Sequence, residues 1–285
     1  MKRKEKRILS CLLILALVLA LPLTAAAAPK SKKAKAQAKM NRLQKQITRY
    51  IKTSCPISAN GQPSSTAWSV YVKDLKTGAK FTINDKPFFS ASTIKLYAMA
   101  TAYEQAQKGK LTLTPYLESQ IRSMITVSSN DAFNNLVYSY LGAGTVNQFC
   151  RGHGLKKTQQ YTPCGSGNSA ALAGVNKANK TSAANCGRLL EKIYRRTLVS
   201  RSASNKMLSY LKAQTIRTKI PQGVPYGVQV ANKTGESGTI QNDTAIVYGK
   251  KTPYVICIFT NTNNPDQAIR CIRQISQTVY RALNP

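Results

Sequence analysis

Ser92 and Lys95 stand three residues apart at the start of a stretch, 92–107, that is rich in helix formers, so their side chains share one helix face. Serine is a weak nucleophile until a neighbouring base takes its proton. Lys95 is that base once its pKa falls, and a second cation nearby would lower it; Lys233 is the candidate. Near a helix start, free backbone N–H groups and the helix dipole favour an anion developing at Ser92. Alone, a Ser-x-x-Lys is equally a capped helix with an exposed lysine. Ser128-Ser129-Asn130 follows at a change from helix to loop. There a hydroxyl can hand a proton to a leaving nitrogen and an amide can bind a carbonyl, although alone the triplet is an N-cap turn. Lys233-Thr234-Gly235 closes a strand pattern. A lysine and a hydroxyl there can hold a carboxylate, and glycine lets a second backbone come close. In this order the three describe acyl transfer through a serine.

The elements that must position these groups follow from periodicity. Residues 40–53 have helical spacing, with Leu43, Ile47, Tyr50 and Ile51 on one side. Residues 68–73 and 81–83 alternate as strands. Helical stretches are expected at 92–107, 116–126, 131–140, 145–151, 181–197 and 202–214, and strands at 227–234, 244–249 and 254–260, before a last amphipathic helix at 266–283. Residues 152–180 are polar and lack periodicity, either a functional loop or a weakly ordered one. The simplest assembly is α+β: a five-stranded antiparallel sheet built from both chain ends, flanked by the terminal helices, with an all-helical lobe inserted in the middle.

With motifs and elements together, the chain resembles the class A β-lactamase and penicillin-binding serine enzyme superfamily over residues 40–285. Phe88-Phe89-Ser90-Ala91 before the nucleophile, Asn130-Asp131-Ala132-Phe133-Asn134 after the second motif, Ile220-Pro221 and Gly223-Val224-Pro225 before the third, and Asp243-Thr244-Ala245-Ile246-Val247 after it carry the likeness further. The resemblance implies that Ser92 is acylated, Lys95 is its base, Ser128 shuttles the proton and Asn130 orients the substrate's acylamino group. It implies that Lys233 and Thr234 bind the substrate carboxylate, that Gly235 admits a close backbone, and that the N–H groups of Ser92 and Glu236 form the oxyanion hole. The implied substrates are β-lactams or D-alanyl peptide ends, with no cofactor.

The departures concern turnover. Between Asp131 and Glu191 there is no carboxylate, and that is where class A members keep the glutamate that releases the acyl group. Gln159, Gln160, Asn168, Asn176 and Asn179 are present instead, and amides are not bases. Glu191 lies well inside the next helix. No arginine lies on the strand after the third motif, where Asn242 stands near the position concerned, so Arg217 or a surface lysine is expected to supplement the carboxylate site.

Residues 1–28 read as a cleaved signal peptide: five basic residues, an apolar run over 8–21, and Ala26-Ala27-Ala28. An uncleaved anchor is the alternative. Residues 29–39 read as a basic tether. The chain has 42 basic and 10 acidic residues, a net charge of +32, which draws it to polyanions such as anionic wall polymers or membrane surfaces, or else reflects a generally basic solvated surface. No nucleic-acid motif is present. Six cysteines follow the signal, an even number that suggests disulfides in an exported chain; Cys150–Cys164 is the expected pair, with Cys257 equally readable as a buried thiol. His153, between two glycines, is the only histidine, so neither a metal site nor a Ser-His-Asp triad is expected. A monomer is expected. Three activities remain open: a serine hydrolase with weak turnover, a DD-peptidase-like penicillin-binding protein, and a non-catalytic polyanion-binding module on a relic enzyme fold.

Overall fold

The computed structural model describes residues 31–165 and 177–285; the expected signal peptide, Asn168 and Asn176 lie outside them. Helix α1 spans Lys32–Ser54. Ser31 caps it by accepting the Ala34 N–H at 3.2 Å, and Met40, Leu43, Ile47 and Ile51 recur every third or fourth residue as its buried stripe. It begins within the stretch expected as a tether. Residues 32–39 are all Lys, Ala or Gln, good helix formers that extend the helix ahead of its buried stripe.

After a short helix α2 (Ser64–Ala67) come strands β1 (Trp68–Asp74) and β2 (Lys80–Ile83), then the two-residue strand β3 (Phe88–Phe89). A 3₁₀ turn, Ala91–Ile94, runs into helix α3 (Lys95–Gln107). Helices α4 (Pro115–Thr126), α5 (Asn130–Asn135) and α6 (Ala143–Gly152) follow. The helix expected over 131–140 is therefore split: α5 runs into a wider π turn at Leu136–Leu141, which Gly142 ends with a φ of +76°. Strand β4 (Lys180–Thr181) precedes helices α7 (Ala183–Tyr194) and α8 (Arg201–Lys212). A 3₁₀ turn at Ile220–Gly223 leads into β5 (Val230–Ser237), β6 (Ile240–Val247), β7 (Tyr254–Thr260) and the last helix α9 (Pro265–Leu283).

The five long strands form one antiparallel sheet in the order β2-β1-β7-β6-β5, the expected α+β architecture. Residues alternate between its faces. Trp68, Val70, Val72, Ile256 and Ile258 pack with α1 and α9, while Tyr71, Ile246, Val255, Cys257 and Phe259 join the core of the helical lobe. Helix α7 lies against that second face. At Gly187 a Cβ would come within 2.2 Å of the Tyr71 ring, so the helix sits this close only without a side chain there. Two boundaries differ from expectation and both bear on the site. β5 does not stop at the third motif but runs through it to Ser237, and β6 begins at Ile240, four residues before the apolar run. All eight residues of β6 are buried, including Gln241, Asn242 and Asp243.

The expected Cys150–Cys164 disulfide is absent: all six described cysteines are free. Cys150 points into the lobe core, whereas Asn134 holds Cys164 elsewhere by two bonds of 2.8 Å.

Candidate active site

Ser92 lies in the turn Ala91–Ile94, just ahead of α3, and this turn is pinned from three sides. Asn242 on β6 donates its amide to the Phe89 and Ser90 carbonyls at 3.0 and 3.2 Å. The Ser90 N–H donates to the Asn179 carbonyl at 3.0 Å, extending the β3–β4 pairing. Gly235 on β5 presses against it: a Cβ there would lie 2.8 Å from the Ser90 oxygen and 3.1 Å from the Thr93 nitrogen. The third motif thus meets the nucleophile's turn because position 235 has no side chain. Ala91, the residue before Ser92, sits in the left-handed region at φ +43°, and Ser128 does so at +61°. Such conformations cost a non-glycine residue of order 1–3 kcal/mol and persist where the surroundings impose them.

Lys95 is fully buried. Its ammonium donates to the Ser128 carbonyl at 2.5 Å and to Asn130 Oδ1 at 2.7 Å, with Ser128 Oγ 3.5 Å away. Lys233, also fully buried, donates to Ser128 Oγ and to the Thr234 carbonyl, both at 2.8 Å. The first and third motifs are therefore joined through the second by a Lys95–Ser128–Lys233 chain. Ser92 lies in the turn that Gly235 of the third motif touches through Ser90 and Thr93, and Lys95 gives its hydrogen bonds to the second motif. Ser129 has a different duty: its hydroxyl caps α5 by accepting the Ala132 N–H at 3.1 Å.

Burial holds Lys95 down to about 8 from 10.5. Lys233 was expected to cause this; the leading cause is desolvation, and it is Lys233 that carries the repulsion from Lys95 on top of its own burial, which together push it well below the usual lysine range. A lysine near 8 is partly neutral at physiological pH, which a proton acceptor requires.

The sequence did not single out several groups that complete the site. Lys219 is fully buried and pairs with Glu236 Oε1. It also faces Asp243, which accepts from Ile220 N–H at 2.9 Å, Thr244 N–H at 3.0 Å and Asn232 at 3.2 Å, and whose carboxyl burial pushes up to about 6 against the pull of Lys219. Lys219 is thus a buried cation beside β5, and Arg217 bonds the Val230 carbonyl at 3.3 Å. No spacing in the sequence marks Lys219.

Cys164 is the other omission. Asn134 accepts its N–H and donates to its carbonyl, fixing the loop to α5, and Gly165 lies beside the Asn130 amide. Burial raises the Cys164 thiol to about 11 while the charges of Lys95 and Lys233 pull it the other way, so the thiol lies within reach of both charges and stays protonated near neutral pH. The visible signal was Asn134, whose place in the second motif was noted without its partner.

Other candidates are structural. Glu191 is tied to Lys73 at 2.5 Å and Arg195 at 2.8 Å. Gln160 donates to the Thr162 carbonyl, and Asn179 accepts the N–H groups of Tyr161 and Thr162. His153 bonds Glu104 at 2.8 Å and packs on Phe149. Among the described residues no cluster of metal-ligating side chains is present.

The model of the β-lactamase enzyme family matches residues 42–120 and 115–283. No curated protein matches the sequence. Among solved structures, PBP-A superposes with a TM-score of 0.72 at 24% identity, over 85% of this chain and 96% of that one, and so does a PBP-A mutant in acyl-enzyme complex with penicillin G. A β-lactamase from Chitinophaga pinensis gives 0.73 at 21% identity over 86% and 100% of the two chains. The TLA-1 extended spectrum β-lactamase gives 0.72 at 17%, over 87% and 100%. These identities are low, and the likeness is one of fold. With the family model matched across the sheet and the helical lobe alike, the chain belongs to the β-lactamase enzyme family.

Proposed function

We propose that the protein is an exported serine hydrolase that forms an acyl-enzyme at Ser92 with β-lactams or D-alanyl peptide ends, and that releases the acyl group slowly. The observation that carries this reading is the chain of hydrogen bonds linking Lys95, Ser128 and Lys233 beside the Ser92 turn. Neutral Lys95 takes the Ser92 proton as Oγ attacks the amide carbon. The N–H groups of Ser92 and Glu236 stabilise the oxyanion. Ser128 hands its proton to the leaving nitrogen and recovers one from Lys95 or Lys233. Lys233 and Thr234, with Lys219 behind them, supply the positive field for a substrate carboxylate. Asn130 offers its Nδ2 to the acylamino carbonyl while its Oδ1 accepts from Lys95.

Slow release follows from what surrounds the ester. Water needs a base. Of the described carboxylates that act on the lysines, Glu236 is paired with Lys219 and Asp243 is held in a buried network, while Asp131 is exposed on the first turn of α5. Cys164, with a protonated thiol, is no base. That leaves Lys95 to deacylate, the pattern of a penicillin-binding protein more than of an efficient β-lactamase. The basic N-terminal run 1–28 supports export, and the net charge of +32 supports retention on anionic wall polymer.

The test is intact mass of the purified protein over time with benzylpenicillin, with Ser92→Ala alongside. A lasting adduct in the parent and none in the variant is expected. No adduct in the parent, under conditions that label a control penicillin-binding protein, overturns the reading.

A further inference from the structure

Two of the six free cysteines meet where the terminal helices come together. Cys55 ends α1, its N–H closing on the Ile51 carbonyl at 3.3 Å. Cys271 lies on the buried face of α9. The Cys271 thiol donates at 3.6 Å to the Ser54 carbonyl, the group bonded to the Cys55 nitrogen, and accepts from the Tyr50 hydroxyl at 3.6 Å. The Ser54 carbonyl that Cys271 reaches adjoins the Cys55 backbone, so the two thiols lie close enough for each to act on the other's charge. Both belong to the cluster on the sheet face covered by α1 and α9, away from the helical lobe. Cys150, Cys186, Cys257 and Cys164 belong to the other cluster or border it.

We propose that Cys55 and Cys271 are the chain's oxidative cross-linking site, joined by exchange with a disulfide co-reactant. The two thiols are unequal in a way that sets the order of attack. The Tyr50 hydroxyl donates to the Cys271 sulfur and the positive charge of Arg270 acts on it, and both favour the Cys271 thiolate. Cys271 is therefore the thiolate that attacks one sulfur of the co-reactant, whose other sulfur leaves as a thiolate. Cys55 then gives its proton to solvent, attacks the Cys271 sulfur of the mixed disulfide and expels the second co-reactant thiol. Two protein thiols are oxidised to one disulfide, and the co-reactant disulfide is reduced to two thiols. The bridge would tie the end of α1 to α9 across most of the chain, a long loop of the kind whose closure removes most freedom from the unfolded state.

The test incubates the purified full chain with oxidised glutathione and, separately, with dithiothreitol, then digests each without further reduction. Peptides joining Cys55 to Cys271 are expected in the oxidised sample, with a melting temperature several degrees above the reduced one. Cys271→Ser and Cys55→Ser should each abolish both effects, and penicillin labelling at Ser92 should be equal in the two redox states. The proposal fails if both thiols remain open to alkylation in guanidinium after treatment that closes a control dithiol peptide. It fails equally if the bridge found joins either one to a different cysteine. Peptide mapping of the parent chain decides the matter even if a variant does not fold.

Discussion

The Ser128 hydroxyl is where two buried lysines meet: Lys233 Nζ donates to it at 2.8 Å, and Lys95 Nζ lies 3.5 Å away. A hydroxyl so placed can receive a proton from either side and pass it onward. Ser128→Ala keeps the turn but removes this link. The expected result is a fall in the acylation rate of about 10²–10⁴-fold, the usual worth of a positioned proton-transfer group. Stopped-flow acylation by a fluorescent penicillin measures it, and an unchanged rate would remove Ser128 from the reaction.

Acylation should also follow the state of Lys95. Below its folded value of about 8 the lysine is protonated and cannot accept the Ser92 proton, so the rate should climb as pH rises through 8 and then level. The same shift bears on stability. Between about 8 and the ordinary 10.5 the unfolded chain holds a proton that the folded chain lacks, so stability should rise with pH across that window through this group. A pH series of acylation rates and of urea midpoints tests the two halves separately.

Cys164 lies within reach of both lysine charges, where a carboxylate could activate water. Cys164→Glu should leave acylation little changed and shorten the acyl-enzyme lifetime by about 10²-fold, the gain expected from a general base. Cys164→Ser should not. Adduct lifetimes by mass spectrometry decide it: equal lifetimes in all three proteins would mean that this position does not set turnover.

Lys219 is buried between Glu236 and Asp243, and removing one member of such a set leaves a buried charge uncompensated. Lys219→Met is expected to destabilise the protein by about 3–5 kcal/mol. Adding Asp243→Asn should restore part of that loss, a non-additivity that a double-mutant cycle reads directly. Strict additivity would mean that the two do not interact.

Gly235 admits β5 to the nucleophile's turn. In Gly235→Ala the new methyl would meet the Ser90 carbonyl, a rigid backbone atom, at 2.8 Å. A loss of about 1–3 kcal/mol in stability is expected from the overpacking, together with slower acylation as the Ser92 turn shifts. Thermal unfolding and labelling kinetics measure both.

The meeting of the three motifs was legible in the sequence because few residue types at fixed places carry it, and Lys95, Ser128 and Lys233 come together by hydrogen bonds. The last strand, Tyr254–Thr260, was legible to the residue because it is an unbroken apolar run between turn signals. The start of β6 was not, since Gln241, Asn242 and Asp243 look like a loop until Asn242 is seen holding the Ser92 turn and Asp243 facing Lys219. The first turns of α1 were hidden for the opposite reason: with no apolar stripe before Met40, pattern gave no sign of a helix that propensity, Ala36 packing and two Gln37–Lys80 bonds sustain. Cys164 looked like half of a disulfide because parity counts thiols without knowing where the Asn134 amide folds the loop.

The sheet pairs Trp68 with Thr260, so its central strand β7 and the neighbouring β1 come from opposite ends of the domain. The pieces of the site are spread in the same way: Ser92 and Lys95 precede the helical lobe, Ser128 belongs to it, and Lys233 comes only after it. No early portion of the chain can bind substrate as it forms. Such distant pairing makes for slow folding, and a chain that folds slowly remains threadable for longer. For the exported protein proposed above, the late meeting of β1 and β7 amounts to a timer: acyl-transfer competence appears only once the last strand has arrived.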